Sequence, residues 1–298
     1  MLFRSDFIAS ELNLDLDKFQ KIVKPGEIIG HISSECSEIT GIPEGCPVAA
    51  GATDGTAGFL ASGASKPGEW SSTLGTTLVI RGVSDKLIVD PQGRFYCHLS
   101  PDGYWLPGGA GNVGCECLIK LFPDCDYRLL DADALDRCPV SVSVYPLVRR
   151  GERIPFVDPN AEGFVDSDKT DTSVLYSAYL QGVAFVERWC YEVAESLGAP
   201  SGNVVYTAGG GAKSTEWMQI RADVLNKELI RPACTESAMG AAVLAASQTY
   251  YKSASEAAAG MIAVDCHIQP RTNMIDRFNE AYLKFREVCS IRGLGNGS

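Results

Sequence analysis

The sequence lacks a block of lysine and arginine residues, the feature that proteins binding nucleic acid or anionic membranes usually carry. Its 26 basic residues are outnumbered by 37 acidic residues, which gives a net charge of −11 at pH 7. Because this charge repels a phosphate backbone, we expect neither nucleic acid nor a membrane surface as a partner. The longest strongly apolar stretch, residues 238–246, is far shorter than the ~18 residues that suggest a membrane span.

The chain also has little histidine and no CxxC pair of cysteines. It contains three histidines and eleven scattered cysteines, of which Cys115 and Cys117 are the closest pair. This spacing does not suit zinc, so we predict no metal ligands and favour reduced, mostly buried thiols. Residues 1–5 lack the charged and apolar regions of a signal peptide. Together these absences predict a cytoplasmic protein.

The composition that remains is typical of a globular protein. Hydrophobic residues make up 45% of the 298 residues, enough for a sizeable core in one large domain or two. Strand–turn–strand patterns over residues 69–81 and 94–106 precede strands that alternate with helices. The longest apolar stripe at helical spacing runs from Val174 to Leu197. This order favours an α/β architecture with a mixed sheet.

Asp54 lies in a turn of small residues, GATDGTAG at 51–58, between a predicted buried strand over 47–51 and a helix over 56–62. Glycines on both sides would let a substrate approach the carboxylate closely, and loops of this kind often carry function. A second interpretation is that Asp54 caps the helix beginning at Gly55, because Asp is a favoured N-cap. The sequence leaves both interpretations open.

A second candidate is the turn Gly75, Thr76 and Thr77 between two predicted strands. Backbone N–H groups in a tight turn, together with two hydroxyl groups, suit phosphate oxygens. The alternative is an ordinary hairpin turn. Both interpretations predict the hairpin itself.

A third candidate is the glycine run 209–211 between a predicted strand over 204–208 and a predicted helix over 215–225. Three glycines allow the backbone to approach a base or a phosphate, and a helix N-terminus adds partial positive charge. Lys213 and Ser214 follow, but Ala212 stands where a P-loop needs glycine. A junction without a ligand is the alternative.

Two further segments give weaker signals. Residues 109–114 match GxGxxG, and Asp131 lies near the offset of a ribose-binding acid. The motif follows a hairpin with no βαβ unit around it, so a dinucleotide-binding oxidoreductase is disfavoured. By itself, the sequence predicts a solvated turn for residues 151–153.

Taken together, these segments resemble the FGGY family of carbohydrate kinases, which includes xylulose, ribulose and glycerol kinases. The loop after Tyr145 departs from the family's form by one extra residue between Pro146 and Gly151. Any one match is weak, whereas five in the family's order are specific. The five segments are residues 41–64, 74–77, 145–155, 208–225 and 236–242.

The resemblance implies a ribonuclease-H-like, actin-like ATPase fold with a mixed sheet flanked by helices. It implies transfer of the γ-phosphoryl group of ATP, with Mg²⁺, to a hydroxyl of a ketose or polyol, with a pentulose such as ribulose or xylulose favoured. A noncatalytic actin-like nucleotide-binding module is the alternative. Asp54 would be the catalytic base. The implied cofactor-binding residues are Gly75, Thr76, Thr77, Gly111, Gly209, Gly210, Gly211, Lys213 and Ser214.

The resemblance also implies a division into domains. Residues 1–67 would be a remnant of the N-terminal, sugar-binding domain that carries the catalytic Asp, and residues 68–298 the C-terminal, ATP-binding domain. Most of the sugar-binding domain would be missing. We therefore expect a small-molecule sugar as substrate and an inactive fragment when the chain is alone.

Overall fold

The computed structural model describes residues 6–18, 21–167 and 171–295. The opening residues 1–5, for which we predicted no signal peptide, lie outside the described residues. No helix within the described ranges is long and apolar enough to cross a membrane. The first part of the chain contains α1 (Asp6–Glu11), β1 (Ile28–His31), α2 (Ser34–Thr40) and β2 (Pro47–Ala49).

This first part follows the local signals in the sequence. Helix α2 begins after Ser33, whose hydroxyl accepts a hydrogen bond from the Cys36 N–H at 3.2 Å. It ends at Gly41, whose φ of 74° explains the glycine there. The prediction of a buried strand over 47–51 was wrong about burial. Within the described residues β2 pairs only with β1, in a two-stranded sheet, so it stays half-exposed.

The rest of the chain forms one larger body around a seven-stranded sheet. Two hairpins follow the first helix, as predicted, and helices and strands follow the hairpins. The elements are α3 (Asp54–Ser62), β3 (Trp70–Leu74), β4 (Leu78–Gly82), β5 (Tyr96–Leu99), β6 (Trp105–Ala110), α4 (Glu116–Leu121), α5 (Tyr127–Arg137), β7 (Val144–Tyr145), β8 (Phe164–Val165), α6 (Thr172–Ser196), β9 (Val204–Ala208), α7 (Thr215–Leu225), β10 (Glu228–Pro232), α8 (Ser237–Ala246), α9 (Ala254–Met261), β11 (Val264–Ile268) and α10 (Thr272–Ile291).

The sheet is mixed, as the sequence predicted. Its strand order is β11-β10-β9-β3-β4-β6-β5. The hairpins β3–β4 and β5–β6 are antiparallel, whereas β3 pairs in parallel with β9. A parallel pair needs a long crossover, and the chain between β3 and β9 includes α6. The pairing of β3 with both β4 and β9 places this strand at the centre of the sheet.

Helix α6 lies at the centre of the main hydrophobic core. It has 25 residues, most of them buried, because apolar side chains cover most of its circumference. Trp70 of β3 packs edge-on against its Tyr191, with ring centroids 5.3 Å apart. A buried ion pair joins Glu187 of α6 to Arg221 of α7 at 2.8 Å. The helix thereby links the sheet to the outer helical layer.

A separate contact joins α3 to α8. Leu60 of α3 packs with Val243 and Leu244 of α8 in a small apolar cluster. At Gly240 a Cβ atom would lie 1.8 Å from the carbonyl oxygen of Ala57, so only glycine allows this approach. The helix that begins with Asp54 is therefore fixed against the C-terminal half of the chain.

Candidate active site

Two candidate segments leave the sheet at the same edge. Strands β3 and β9 run parallel with Thr73 opposite Ala208. The turn Gly75–Thr77 follows β3, and the glycine loop 209–211 follows β9. Because both strands end at one level, the structure brings the predicted phosphate turn and the predicted adenosine loop side by side.

The glycine loop owes two of its glycines to packing. Gly209 has φ +89°, and a Cβ there would lie 2.5 Å from the carbonyl oxygen of Leu74. A Cβ on Gly211 would lie 2.5 Å from the Leu74 side chain. By contrast, a Cβ on Gly210 would meet no atom within 4 Å. Gly210 therefore presents bare backbone to open space, as ligand approach requires.

A cavity of about 360 Å³ lies on one side of this loop. On the hairpin, Ser71 is opposite Arg81 and Thr73 is opposite Val79 in the antiparallel register, so the four side chains share one face. The first turns of α3 and α8 close the cavity. Its lining residues are Gly55, Gly58, Phe59, Ser71, Thr73, Val79, Arg81, Ala208, Gly209, Thr235 and Ser237.

A second cavity, of about 380 Å³, lies on the other side of the loop. Gly210, Gly211 and the predicted residues Lys213 and Ser214 form one wall. Apolar and aromatic side chains from α4 to α7 form most of the rest, which suits a flat heterocyclic base, and Arg128 and Asp131 also line the cavity. The apolar and aromatic side chains include Leu118, Ile119, Tyr127, Tyr176 and Trp217.

Asp131 is the acidic residue of this second cavity. The Tyr176 hydroxyl donates to its carboxylate at 2.7 Å, and burial raises the pKa of Asp131. The sequence drew attention to Asp131 only through the disfavoured GxGxxG pattern. The structure brings it to the cavity for another reason, since α5 packs beside α6 and α7. Ser214 has a structural role as well, because its hydroxyl caps α7 by accepting from the Trp217 N–H at 3.0 Å.

The turn Gly75–Thr77 is held in place by contacts with residues 114 and 115. The Cys115 N–H donates to the Gly75 carbonyl at 2.8 Å. A Cβ on Gly114 would lie 2.4 Å from the Thr76 carbonyl oxygen, which explains the glycine. Thr76 is exposed at the tip of the turn. Its phosphate contact stays a prediction, because the first cavity is lined by strand residues on either side of the turn.

Asp54 does not cap its helix, so that interpretation of the sequence was wrong. Helix α3 begins at Asp54 itself, and Thr53 is the N-cap, with its hydroxyl accepting from the Thr56 N–H at 3.4 Å. The Asp54 carboxylate is exposed and accepts only from the adjacent Gly55 N–H, at 2.8 Å, among the described residues. Because Gly55 lines the first cavity, the carboxylate stands next to it.

Gly111 lies outside both cavities. Its N–H donates to the Leu78 carbonyl at 2.9 Å, and a Cβ there would meet Ile154 at 3.1 Å. The neighbouring Asn112 N–H donates to Glu152 at 2.7 Å. The solvated turn predicted for residues 151–153 was therefore wrong, since Glu152 is 2% exposed and burial raises its pKa. A ligand contact for Gly111 stays a prediction.

The described residues contain no group of three or more His, Cys, Asp or Glu side chains that could hold a metal ion. All eleven cysteines are free thiols, and ten of them are at least partly buried. Burial raises the pKa of Cys115 to about 11 and of Cys117 to about 12. These thiols are protonated at neutral pH and make poor nucleophiles.

The chain is similar to known carbohydrate kinases in sequence. The C-terminal domain of the FGGY family of carbohydrate kinases matches residues 120–249. The gluconokinase of Bacillus subtilis is 29% identical over 247 residues, which cover 76% of this chain and 48% of that protein. The xylulose kinase of Bacillus subtilis is 23% identical over 295 residues, which cover 95% of this chain and 59% of that protein.

Solved structures agree on the fold. A ligand-bound xylulose kinase from Lactobacillus acidophilus superposes with a TM-score of 0.84 at 20% identity, over 98% of this chain and 61% of that one. Glycerol kinase of Plasmodium falciparum with ADP gives a TM-score of 0.76 at 17% identity, over 95% of this chain and 59% of that one. The chain therefore has the actin-like ATPase fold, as predicted. In sequence it is similar to the C-terminal portion of FGGY carbohydrate kinases, whose C-terminal domain matches residues 120–249.

Proposed function

We propose that this chain is the nucleotide-binding part of an ATP-dependent sugar kinase. The observation that carries the proposal is the pair of cavities that share the loop 209–211. The first, with hydroxyl groups, glycine backbone and Arg81, suits the phosphate chain of ATP. The second, with its aromatic wall, suits adenosine. A nucleotide lying across Gly210 would fill both.

In this proposal Asp54 is the general base. Its carboxylate is exposed, is not used as a cap, and precedes a residue that lines the phosphate cavity. A carboxylate in that position accepts the proton of an attacking sugar hydroxyl as the new bond to phosphorus forms. The backbone of the 75–77 turn and the Thr76 hydroxyl would hold the phosphate oxygens, and residues 209–214 would seat the nucleoside.

Phosphoryl transfer depends on positioning and charge neutralisation more than on covalent catalysis by the protein. Bound Mg²⁺ would neutralise charge on the phosphates. It would be held largely by water and phosphate oxygens. The residues of this chain would therefore orient the nucleotide and accept one proton.

The relatives also support a proposal for the acceptor and for the domain assignment. The chain spans about half to three fifths of the length of the curated relatives named above. We propose that residues 1–67 belong to a sugar-binding domain that completes the cleft, and that residues 68–298 form the ATP-binding domain. The relatives' names support a sugar or sugar acid as acceptor, and we favour a xylulose-like pentulose, with gluconate as the second candidate.

Calorimetry and a coupled kinase assay test this proposal. The 298-residue chain should bind ATP, ADP and AMP and should show no sugar-dependent turnover. Joined to the sugar-binding half of the Bacillus subtilis xylulose kinase, it should phosphorylate xylulose or gluconate. Asp54→Asn in that fusion should keep nucleotide affinity and lower kcat by about 10²–10⁴-fold, whereas Asp85→Asn, an exposed control, should change neither.

Two results would count against the proposal. Near-wild-type turnover of the Asp54→Asn fusion would remove Asp54 as the base. Nucleotide binding without transfer to any sugar, in a folded fusion, would favour a noncatalytic actin-like module.

A further inference from the structure

Arg81 of β4 is a buried cation without an acidic partner among the described residues. The residue is 8% exposed. Its Nη1 donates to the Gly55 carbonyl at 2.7 Å, while its Nε is buried and has no hydrogen-bond partner. Buried charges in proteins are normally paired. The unpaired guanidinium therefore points to a ligand that supplies the negative charge.

The Nε and Nη2 atoms form the edge of the Arg81 guanidinium that has no partner among the described residues. Other arginines of this protein bind carboxylates through the same edge. Three other arginines bind both oxygens of one carboxylate through Nε and Nη2, at 2.7–3.1 Å. In Arg81 neither of these nitrogens bonds to a described residue. That two-pronged edge fits two oxygens of a single carboxylate or phosphate group. The three pairs are Arg94–Asp90, Arg137–Asp133 and Arg221–Glu187.

The cavity beside Arg81 favours an anion as well. None of its lining residues is acidic, although the whole chain carries a net charge of −11. The hydroxyl groups of Ser71 and Thr73 lie on the same face of the hairpin as the guanidinium. A basic cavity with hydrogen-bond donors concentrates anions even in an acidic protein.

We propose that Arg81 binds the transferring phosphoryl group of the nucleotide. This inference rests on the proposed function. The carbonyl that holds Nη1 belongs to Gly55, the residue after the proposed base Asp54. The guanidinium therefore lies beside the point where the sugar hydroxyl and the phosphoryl group would meet. A sugar-acid carboxylate is the other oxyanion of suitable chemistry, but it is not the group that reacts at that point.

Titration calorimetry on the 298-residue chain tests Arg81 directly, with ATP, inorganic triphosphate, AMP and gluconate as probes. Arg81→Gln should weaken ATP and triphosphate binding by about 10- to 100-fold, because charged hydrogen bonds are lost. AMP, which lacks the transferred phosphate, should bind within about twofold of wild type. Arg81→Lys should be intermediate, since it keeps the charge and loses the two-pronged edge. The exposed control Arg277→Gln should match wild type for every probe.

Each of the remaining outcomes either overturns the proposal or supports it. Wild-type affinity of Arg81→Gln for ATP and triphosphate overturns the proposal, and so does equal weakening of AMP and ATP. Arg81-dependent binding of gluconate instead of triphosphate overturns it in favour of a sugar-acid site. A wild-type chain that binds neither triphosphate nor ATP overturns it too. Binding of triphosphate without AMP supports the phosphate site while the adenosine part of the proposed function fails. Thermal melting checks folding, and if Arg81→Gln melts early, Arg81→Lys decides.

Discussion

Two parts of the described chain, those before and after residue 53, differ in how they are held together. In the N-terminal segment (residues 6–52), α2 has no buried residue and the two strands pair only with each other. Large apolar side chains there stay exposed, Phe7 at 71% and Ile39 at 78%. In the main body (residues 53–295), one large core joins sheet and helices. Local caps and a two-stranded sheet order the segment, whereas long-range packing orders the body.

Helix α3 shows where the two regions meet. The sequence assigns it to the first domain, yet it packs against α8 near the other end of the chain. The domain boundary at residue 67 stays a prediction. The packing shows that the candidate base Asp54 is positioned by the main body.

The largest effect should come from breaking the polar core of the main body. Glu187 and Arg221 are fully buried, and Arg221 also donates to Thr207 and Ser72 at 2.8 and 3.0 Å. Glu187→Ala leaves the guanidinium uncompensated and should lower the free energy of unfolding by about 3–5 kcal/mol. Denaturant unfolding measures the change.

The exposed pair Asp133–Arg137 provides the control for this prediction. Asp133→Ala should cost less than about 1 kcal/mol, because exposed ion pairs contribute little. Equal losses in the two variants would contradict the contrast between buried and exposed pairs.

Two glycine substitutions compare the effect of an added methyl group on stability in the main body and in the N-terminal segment. Gly240→Ala forces α3 and α8 apart and should cost about 1–3 kcal/mol of unfolding free energy. Gly30→Ala, in β1, places its Cβ in open space and should change stability by less than about 0.5 kcal/mol. Chemical denaturation of both variants gives the comparison. A harmless Gly240→Ala would mean that α3 is loosely held.

The third prediction concerns how the stability of the main body changes with pH. Burial raises the pKa of Glu152 above its ordinary value of 4.5, so the folded protein holds this proton more tightly than the unfolded chain. This contribution to stability is complete below pH 4.5 and is lost as pH rises through the folded pKa. Glu152→Gln should flatten that decline, as followed by melting temperature from pH 4 to pH 8. The exposed Glu38→Gln is the control, and an unchanged pH profile for Glu152→Gln would reject the explanation.

The smallest effect should come from the N-terminal segment. Ile39 has little contact to lose, so Ile39→Ser should change the free energy of unfolding by less than about 0.5 kcal/mol. Urea titration and size-exclusion chromatography would detect a change in stability or association. A loss of 2 kcal/mol or more, the cost of about one buried side chain, would mean that this surface is covered in solution.

The sequence predicts those parts of the fold that local chemistry determines. The β3–β4 hairpin was predicted from its turn, and α6 from its apolar stripe. Strand β10 was missed because it contains Glu228, Arg231 and Pro232 and is a strand through its pairing with β9 and β11. Strand β11 was missed as well. Helix α5 was missed because its apolar residues are few and irregularly spaced.

The candidate site was predictable where glycine or a single carboxylate marked it. Asp54 and the loop 209–211 were predicted in this way, and their roles stay predictions. Arg81 was missed, because an arginine at the end of a predicted strand is indistinguishable from a solvated one until the fold buries it. Asp131 was singled out only through the GxGxxG pattern. Its place in the second cavity depends on the tertiary packing of α5, which the sequence does not reveal.

The central position of strand β3 affects the spacing of the two candidate segments. It is hydrogen-bonded to β4 on one side and to β9 on the other, and Leu74 at its end touches the glycine loop. The predicted phosphate turn and the predicted adenosine loop are therefore both attached to a single strand. Their separation is fixed before any nucleotide arrives, so binding spends no conformational entropy on bringing them together.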